Sequence, residues 1–280
     1  TTYGGWFEWA PPDFHFRQPY WEHMGAFSGY IARLSFLLTR GVHRADVAIV
    51  YPSAAAEAGV EAERAEKDAF GLGGYLTGCG IDFDFIDHQS LERAEVRDRE
   101  LRVAGEAYRV LLLPSMAVVR HSTMKKALEF HRGGGVVIAY GLLPSESDGD
   151  ISGMAKEVFG TGRYVREGYE VVRGVINQSI ERDFIPSRED VYVLHRRIGA
   201  RDVYLVYNTR GEPLELEAVF RVQGKVEFWD AWTGKIEPAP VLRQEARGTR
   251  MGLVLEGREA RLVVFAPGTP QVQRAAAVPR

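Results

Sequence analysis

The chain has 280 residues, of which 45% are hydrophobic and 26% are charged, and its formal net charge is -3. This is an ordinary globular composition with room for two hydrophobic cores, and the small net charge predicts no nucleic acid partner. The single cysteine excludes an internal disulfide framework and a cysteine-ligated zinc site. No apolar run approaches the roughly 20 residues of a membrane span.

Residues 1–16 are predicted to be a loop, because they show neither helical nor alternating periodicity and contain Pro11-Pro12. Aromatic residues are concentrated near this end, since 11 of the chain's 31 lie among the first 45 residues. The rings either pack against a further part of the protein or line a carbohydrate site, where rings stack on sugar faces and polar groups bind hydroxyls. The second interpretation predicts five substrate-binding residues: Trp6, Glu8, Trp9, His15 and Trp21.

A long helix is predicted over residues 18–40, with Pro19 at its first position and Gly41 after its end. Its apolar residues step by three and four along one face: Tyr20, Met24, Phe27, Ile31, Leu34 and Leu38. Because the opposite face is apolar too, we expect a helix buried between layers, docked on the following region through Ile31, Leu34 and Leu38.

Residues 46–163 alternate between buried strands and amphipathic helices. The first elements predicted are a strand at 46–52, a small-residue loop at 54–59, a helix at 61–77, an edge strand at 81–86 and a hairpin at 100–110. The central unit is strand, crossover helix and strand over 108–141, in which Ser122 or Thr123 caps the helix and 133–135 end it. A short helix follows at 151–159. These elements predict a small doubly wound sheet of four or five strands, of the flavodoxin or amidotransferase type.

From residue 164 to 268, short alternating segments predict an antiparallel β-sandwich, followed by a poorly packed tail at 269–280. The strands are predicted at 169–176, 191–198, 203–208, 214–222, 226–229, 251–255 and 261–265. The fold class is therefore α/β plus all-β, preceded by an aromatic loop and a long helix.

The carboxyl ends of the parallel strands are where chemistry is expected first. An amidotransferase of this layout needs a nucleophile on a sharp turn after a strand. Residues 139–142 offer none, Ser115 lacks the flanking glycines of such a turn, and Cys79 is interpreted as a small buried hydrophobe rather than a reactive thiol. The region is therefore predicted to be catalytically silent.

No metal or cofactor site is predicted, because the seven histidines show no ligand spacing. Asp82, Asp84 and Asp87 alternate along a predicted strand and either bind calcium weakly or form a solvated edge, of which the second is preferred.

Several runs resemble one family of bacterial enzymes. They are QPYWEHMGAFSGYIARLSFLLTRGVHRADVAIVYP, AYRVLLLP, GGGVVIAYG, HRRIGARDVYLVYNTR and VEFWDAWTGKIEP. Together they resemble the C-terminal half of glycoside hydrolases of the α-L-rhamnosidase kind, family 106. The resemblance implies a preceding (β/α)8 barrel that holds the catalytic carboxylates, of which residues 1–45 are the end. It further implies an amidotransferase-like domain without its nucleophile, as in family 42 β-galactosidases, and then β-sandwich domains.

The chain lacks the rest of that barrel, so the resemblance predicts the C-terminal, non-catalytic part of a glycoside hydrolase acting on a plant or microbial polysaccharide. The partners expected are a carbohydrate, through the parent enzyme, and the missing barrel. A self-contained carbohydrate-binding or interaction module is the alternative, and a free-standing hydrolase of amidotransferase type is a third. Self-association through the N-terminal segment is also expected, and the compartment, cytoplasmic or exported, stays open.

Overall fold

A computed structural model describes residues 16–160 and 163–269. A 3-10 turn, Trp21–His23, precedes the first of the helices, which are α1 Met24–Leu38, α2 Ser53–Ala58, α3 Ala62–Gly78, α4 His88–Arg93, α5 His121–Arg132, α6 Ser152–Phe159 and α7 Tyr169–Ser179. Among the helices in these ranges, none has the length and apolar character needed to cross a membrane.

The described strands, in chain order, are β1 Val42–His43, β2 Val47–Val50, β3 Phe83–Ile86, β4 Glu95–Arg97, β5 Glu100–Val103, β6 Glu106–Tyr108, β7 Val110–Pro114, β8 Val136–Tyr140, β9 Tyr164–Val165, β10 Phe184–Pro186, β11 Val191–Ile198, β12 Arg201–Asn208, β13 Leu214–Phe220, β14 Lys225–Trp229, β15 Ile236–Pro238, β16 Arg243–Glu245, β17 Gly248–Leu255 and β18 Ala260–Ala266. They form one parallel sheet and three antiparallel sheets.

The parallel sheet has five strands in the order β3-β2-β7-β8-β9. Every residue of β2, β7 and β8 is buried, which confirms the continuous apolar runs as central strands, and β3 lies at the edge as predicted. Helices cover both faces: α3 and α7 contribute to one apolar cluster, and α4, α5 and α6 contribute to the other. Strands β5 and β6 form the predicted hairpin around Gly105, with β4 added beside β5.

Helix α5 begins earlier than predicted and without a side-chain cap. Its first residue is His121, whose backbone N–H donates to the Asp148 carboxylate at 2.7 Å. The expected caps are used elsewhere, since the Thr123 side chain is buried in the core and the Ser122 hydroxyl donates to Glu92. The glycine stop is confirmed, because Gly134 takes a positive φ of 84° that disfavours other residues.

Two segment predictions were wrong. Residues 54–59 do not form a loop, because helix α2 spans most of them. Residues 169–176 do not form a strand; they belong to helix α7. Tyr169, Val172 and Ile176 are spaced by three and four and pack on the parallel sheet, whereas Val171 is exposed. The β-branched residues of this segment favoured a strand in the sequence, and burial of the helical face outweighed that preference.

The larger antiparallel sheets share one apolar cluster, which includes Tyr204, Phe220 and Phe265. One sheet has the order β1-β11-β12-β18-β14-β15, and the other has the order β10-β13-β17-β16. The six strands predicted after residue 190 are all present, most with slightly longer bounds. The short strands β1, β10, β15 and β16 of these sheets were missed.

Helix α1 is shorter than predicted and docks on a different surface. Tyr30, Leu34 and Leu37 pack on the outer face of the six-stranded sheet rather than on the parallel sheet. No residue of α1 is buried, so the expectation of a helix between layers was wrong. Ile31, which was expected at the contact, is 43% exposed.

Replacing Ile176 by alanine should lower the free energy of unfolding by about 2–5 kcal/mol, because it leaves a cavity under α7. Val171→Ala on the same helix should change it by less than about 0.5 kcal/mol, because Val171 faces solvent. Urea denaturation monitored by circular dichroism measures both. Similar losses for the two variants would contradict the helical packing of this segment.

Candidate active site and charged cleft

Ser115 occupies the position after the central strand β7 where a nucleophile would stand. It takes a left-handed backbone conformation, with φ at 41°, although no glycine flanks it. The conformation depends on Gly141 at the end of the neighbouring strand β8, because a Cβ atom there would lie 1.9 Å from the Ser115 hydroxyl oxygen. A sharp turn is therefore present, and it was missed because the required glycine lies on another strand.

The surroundings of Ser115 do not activate it. Its side chain is buried, its hydroxyl donates to the Asp68 carboxylate, and its oxygen accepts the Leu142 backbone N–H at 3.3 Å. Cys79 is buried as well, and its sulfur accepts from the Arg173 guanidinium at 3.3 Å. Throughout residues 16–160 and 163–269, no histidine makes a hydrogen bond to either side chain. The Ser115 side chain therefore closes the end of strand β7, and its hydroxyl is engaged by Asp68.

A group of paired charged side chains lies at the opposite, amino end of the parallel strands. A cleft of about 480 Å³ opens there between the parallel sheet and the antiparallel sheets. We call it the charged cleft and define it by seven residues: Asp46, Arg109, Asp183, His195, Arg197, Asp202 and Arg221. Asp46 and Arg109 directly precede strands β2 and β7, and the other five come from the antiparallel part of the chain.

Acids and bases alternate along the charged cleft. The Asp46 carboxylate forms ion pairs with the guanidinium groups of Arg109, at 2.7 Å, and Arg221, at 3.2 Å. Arg221 lies 3.7 Å from Asp183. These contacts join the beginning of the parallel sheet to the segments that precede β10 and follow β13.

His195 bridges the two remaining carboxylates. Its Nδ1 lies 2.9 Å from Asp183 and its Nε2 lies 3.0 Å from Asp202, which also pairs with Arg197. Its ring stacks on Tyr204 at a centroid distance of 3.9 Å. Burial by itself lowers the pKa of His195, but the hydrogen bonds to Asp183 and Asp202 outweigh burial, so the pKa is raised and the imidazolium form is favoured.

The Asp202 carboxylate of the charged cleft is held in the ionised form. Burial alone raises the pKa of Asp202, but the hydrogen bonds from His195 and Arg197 outweigh it, and the net pKa is lowered. A general acid needs the opposite shift. Asp202 can therefore hold the cationic side chains of His195 and Arg197 together. It is poorly suited to releasing or taking up a proton near neutral pH.

A second bridged histidine lies close to the charged cleft. The ring nitrogens of His43 contact Asp84 at 2.8 Å and Asp82 at 2.6 Å, and the Tyr108 hydroxyl lies within hydrogen-bond distance of Asp84, at 3.0 Å, and of Glu106, at 2.7 Å. Burial lowers the pKa of His43, but the two carboxylates raise it to about 10. The predicted solvated edge of aspartates was therefore wrong, because Asp82 and Asp84 bind His43.

The predicted calcium alternative does not form either, since Asp87 is turned away to cap helix α4 through the Ser90 backbone N–H at 2.8 Å. Within the described ranges, His43, Asp84 and Glu106 are the three groups whose ligand atoms lie close enough to hold a metal ion, within 4.8 Å of one another. A metal needs a free lone pair on the imidazole. Both nitrogens of the protonated His43 ring are occupied by carboxylates, so this site is built for an ion pair.

Four of the five predicted carbohydrate-binding residues, Trp6, Glu8, Trp9 and His15, lie outside the described residues. The fifth, Trp21, lies in the 3-10 turn before α1 and is 44% exposed. The charged cleft was not predicted, because its members are spread from residue 46 to residue 221. One signal was available: the Gly199-Ala200 turn sets the β11–β12 register that pairs Arg197 with Asp202.

Stability should decrease as the pH rises from 6.5 to about 10, because folded His43 keeps a proton that the unfolded chain has lost over this range. Each such histidine contributes a slope of at most about 1.4 kcal/mol per pH unit, and His195 acts in the same direction. Denaturation at pH 7, 8 and 9 measures the slope. His43→Gln should be less stable at pH 7 and should show a smaller slope, whereas His23→Gln, at an exposed position, should leave both unchanged. An unchanged slope in His43→Gln would contradict this origin.

Comparison with known proteins agrees with the sequence resemblance. A protein of Formosa agariphila named "Putative beta-glucuronidase" is 29% identical over 268 residues, which are 90% of this chain and 22% of that protein. A rhamnosidase structure from Novosphingobium sp. PP1Y matches 95% of this chain and 27% of its own, with a TM-score of 0.72 and 24% identity. A β-galactosidase structure from Bacillus circulans sp. alkalophilus matches 90% of this chain and 46% of its own, with a TM-score of 0.59 and 13% identity.

These structural similarities establish the fold, and the chain spans about a quarter of the length of the first two proteins. The family follows from a separate match, in which the family model for glycoside hydrolase family 106, described as alpha-L-rhamnosidase, covers residues 11–242. This chain belongs to the α-L-rhamnosidase family of glycoside hydrolases, family 106.

Proposed function

We propose that the chain is the C-terminal, non-catalytic part of a glycoside hydrolase that acts on a plant or microbial polysaccharide. Family membership supports the substrate class, and the small share of its relatives that the chain spans supports its being one part of a longer enzyme. In this proposal the catalytic carboxylates stand in a preceding (β/α)8 barrel that ends in residues 1–45.

The pairing of carboxylates in the charged cleft carries the proposal. A glycosidase needs one carboxylic acid that is protonated near neutral pH and a second carboxylate that acts as base or nucleophile. Asp46, Asp183 and Asp202 are each paired with an arginine or with His195. The acids of the charged cleft therefore join two parts of the fold, and Asp202, whose pKa is lowered, has the wrong protonation for a general acid.

The two parts of the fold have a more specific interpretation within the same proposal. We assign the parallel sheet to an amidotransferase-like, flavodoxin-type domain without its nucleophile, supported by the sharp turn at Ser115. We assign the two larger antiparallel sheets to a β-sandwich, supported by their shared core. Because β9 and α7 pack with the parallel sheet, we place the boundary near Ile180 rather than after residue 163.

The purified chain should release no 4-nitrophenol from 4-nitrophenyl α-L-rhamnopyranoside and no ammonia from glutamine above the rate of a buffer blank. The reason is that no protonated acid beside a free carboxylate, and no exposed nucleophile with a base, is found in residues 16–160 and 163–269. Turnover that persists through purification and is abolished by Glu8→Gln would overturn the proposal and place catalysis in the first loop.

The outer side of α1 supports a contact with a further polypeptide. One side of the helix packs on the six-stranded sheet through Tyr30, Leu34 and Leu37. The other side is exposed: Phe27 is 42%, Ile31 is 43% and Phe36 is 60% exposed. A helix that is apolar all round is normally covered on every side. We propose that the barrel covers this face in the longer enzyme and that a second copy covers it when the chain is isolated.

Sedimentation velocity at micromolar concentration should therefore show a dimer of the 31.3 kDa chain. The double variant Phe27→Ser, Ile31→Ser should shift the equilibrium to monomer, because it removes apolar area from the proposed contact. Val254→Ser, at a residue of the four-stranded sheet that is 54% exposed, should leave the dimer intact. A wild-type chain that sediments as a monomer would show that α1 is covered by its own polypeptide.

A further inference from the structure

A groove at one end of the six-stranded sheet combines one exposed ring, that of Trp232, with unpaired charged groups. It lies between the turn that joins β14 to β15 and the turn that joins β17 to β18, and it has a volume of about 520 Å³. This volume falls within the range of small-molecule sites, roughly 300–1,000 Å³. We call it the ring-lined groove, after Phe228 and Trp232 in its lining.

Trp232 is held rigidly although it is 55% exposed. One face of its indole stacks on Tyr30 of helix α1, with ring centroids 4.1 Å apart and an angle of 16° between the planes. Its backbone N–H donates to the Asp230 carboxylate at 2.8 Å, and the Thr233 hydroxyl donates to the same carboxylate at 2.6 Å. The indole is therefore fixed on one side and open to solvent on the other, which is the arrangement of a stacking platform.

The opposite wall of the groove is also fixed in place. The Arg261 guanidinium lies over the Phe228 ring, 5.2 Å from its centroid, and its Nε donates to Glu259 at 2.8 Å. A guanidinium that is already stacked and paired loses little further side-chain entropy when it donates to a ligand.

Three charged side chains of the lining have no partner. Within residues 16–160 and 163–269, Lys235, Glu237 and Glu256 make no hydrogen bond or ion pair through their side chains, and all three are exposed. Carboxylates accept two hydrogen bonds from neighbouring hydroxyl groups, and the ammonium group donates. Donors and acceptors thus stand next to rings, and the lining contains more acids than bases, which disfavours an anionic ligand.

We propose that the ring-lined groove binds a neutral saccharide, whose C–H face stacks on Trp232 and whose hydroxyl groups bind Glu237, Glu256 and Lys235. A sugar ring has both an apolar face and a rim of hydroxyls, which is the combination that this lining matches. The inference goes beyond the proposed function, because the groove binds without catalysing and can be tested in the chain whether or not it has turnover.

Saturation-transfer NMR on the wild-type chain, with methyl α-L-rhamnoside and methyl β-D-galactoside as neutral probes and D-galacturonate as a charged one, tests the proposal. At least one neutral probe should bind saturably and more tightly than D-galacturonate. Trp232→Ala should weaken binding at least five-fold. Since Trp232 also packs on Tyr30, Glu237→Gln is the second variant; it leaves the ring contacts in place and should weaken binding at least two-fold.

Phe70→Ala is the matched control, because Phe70 is another exposed aromatic residue, contacts a second ring, Phe85, at a centroid distance of 5.3 Å, and lies on helix α3 outside the groove lining. It should leave binding unchanged. The proposal is overturned if no neutral probe binds, if D-galacturonate binds best, or if Phe70→Ala abolishes binding while Trp232→Ala and Glu237→Gln do not.

Discussion

The imidazolium of His195, held between Asp183 and Asp202, is the interaction on which the arrangement of the two parts of this fold depends. A charge removed from water is tolerated only when opposite charges and hydrogen bonds compensate it. His195 is almost completely buried, and its two carboxylates are in turn held by Arg221 and Arg197. Each charged side chain of this network would be buried without an opposite charge if its neighbour were removed. The start of β2, the β11–β12 hairpin and the end of β13, which carry these side chains, therefore have to meet at one point. The main effect of such a network is to specify one relative placement, since its net contribution to stability is small.

The same network explains why a cluster of acids in a cleft is not by itself an active site. Catalytic groups are recognised by pKa values that environment has moved toward the working pH. Here, the pKa of Asp202 is lowered and those of His195 and His43 are raised. Each pKa is therefore moved away from pH 7, and each group stays charged at that pH. Ser115 shows the complementary case, because the backbone geometry of a nucleophile is present and its hydroxyl is engaged by Asp68. Ser115 thus has the backbone geometry of a nucleophile without a free hydroxyl, and Asp202 has a pKa that keeps it charged near neutral pH.

Much of the fold could be predicted from periodicity, and the exceptions have physical causes. The buried strands β2, β7 and β8 and the long strands β11, β12 and β13 were recognised because burial on one or both faces leaves a clear pattern. Helix α7 was misread because its β-branched residues favour a strand locally, and its docking on α3 and the parallel sheet is a tertiary effect.

The surface chosen by α1 could not be predicted, since both of its faces are apolar and either could have been buried. The charged cleft was equally hidden, because pairing between Asp46 and Arg221 joins positions that no local pattern connects. The ring-lined groove could not be predicted for a related reason, because the Trp232 indole is held by stacking on Tyr30, which lies about 200 residues earlier, in helix α1.

The two-residue strand β1 makes the antiparallel part of the protein discontinuous along the chain. It pairs with β11, and the Arg196 side chain on that strand binds the Gly41 carbonyl oxygen 155 residues earlier in the sequence. Along the described residues, the polypeptide thus contributes β1 to the six-stranded sheet, builds the whole parallel sheet and only then returns to complete the first one. The parallel sheet is in effect an insertion whose two ends leave and re-enter the same layer. Cutting the chain at a single point cannot separate the two parts intact. The contact between Gly41 and Arg196 also closes a loop of 155 residues, and such a long loop closure slows folding.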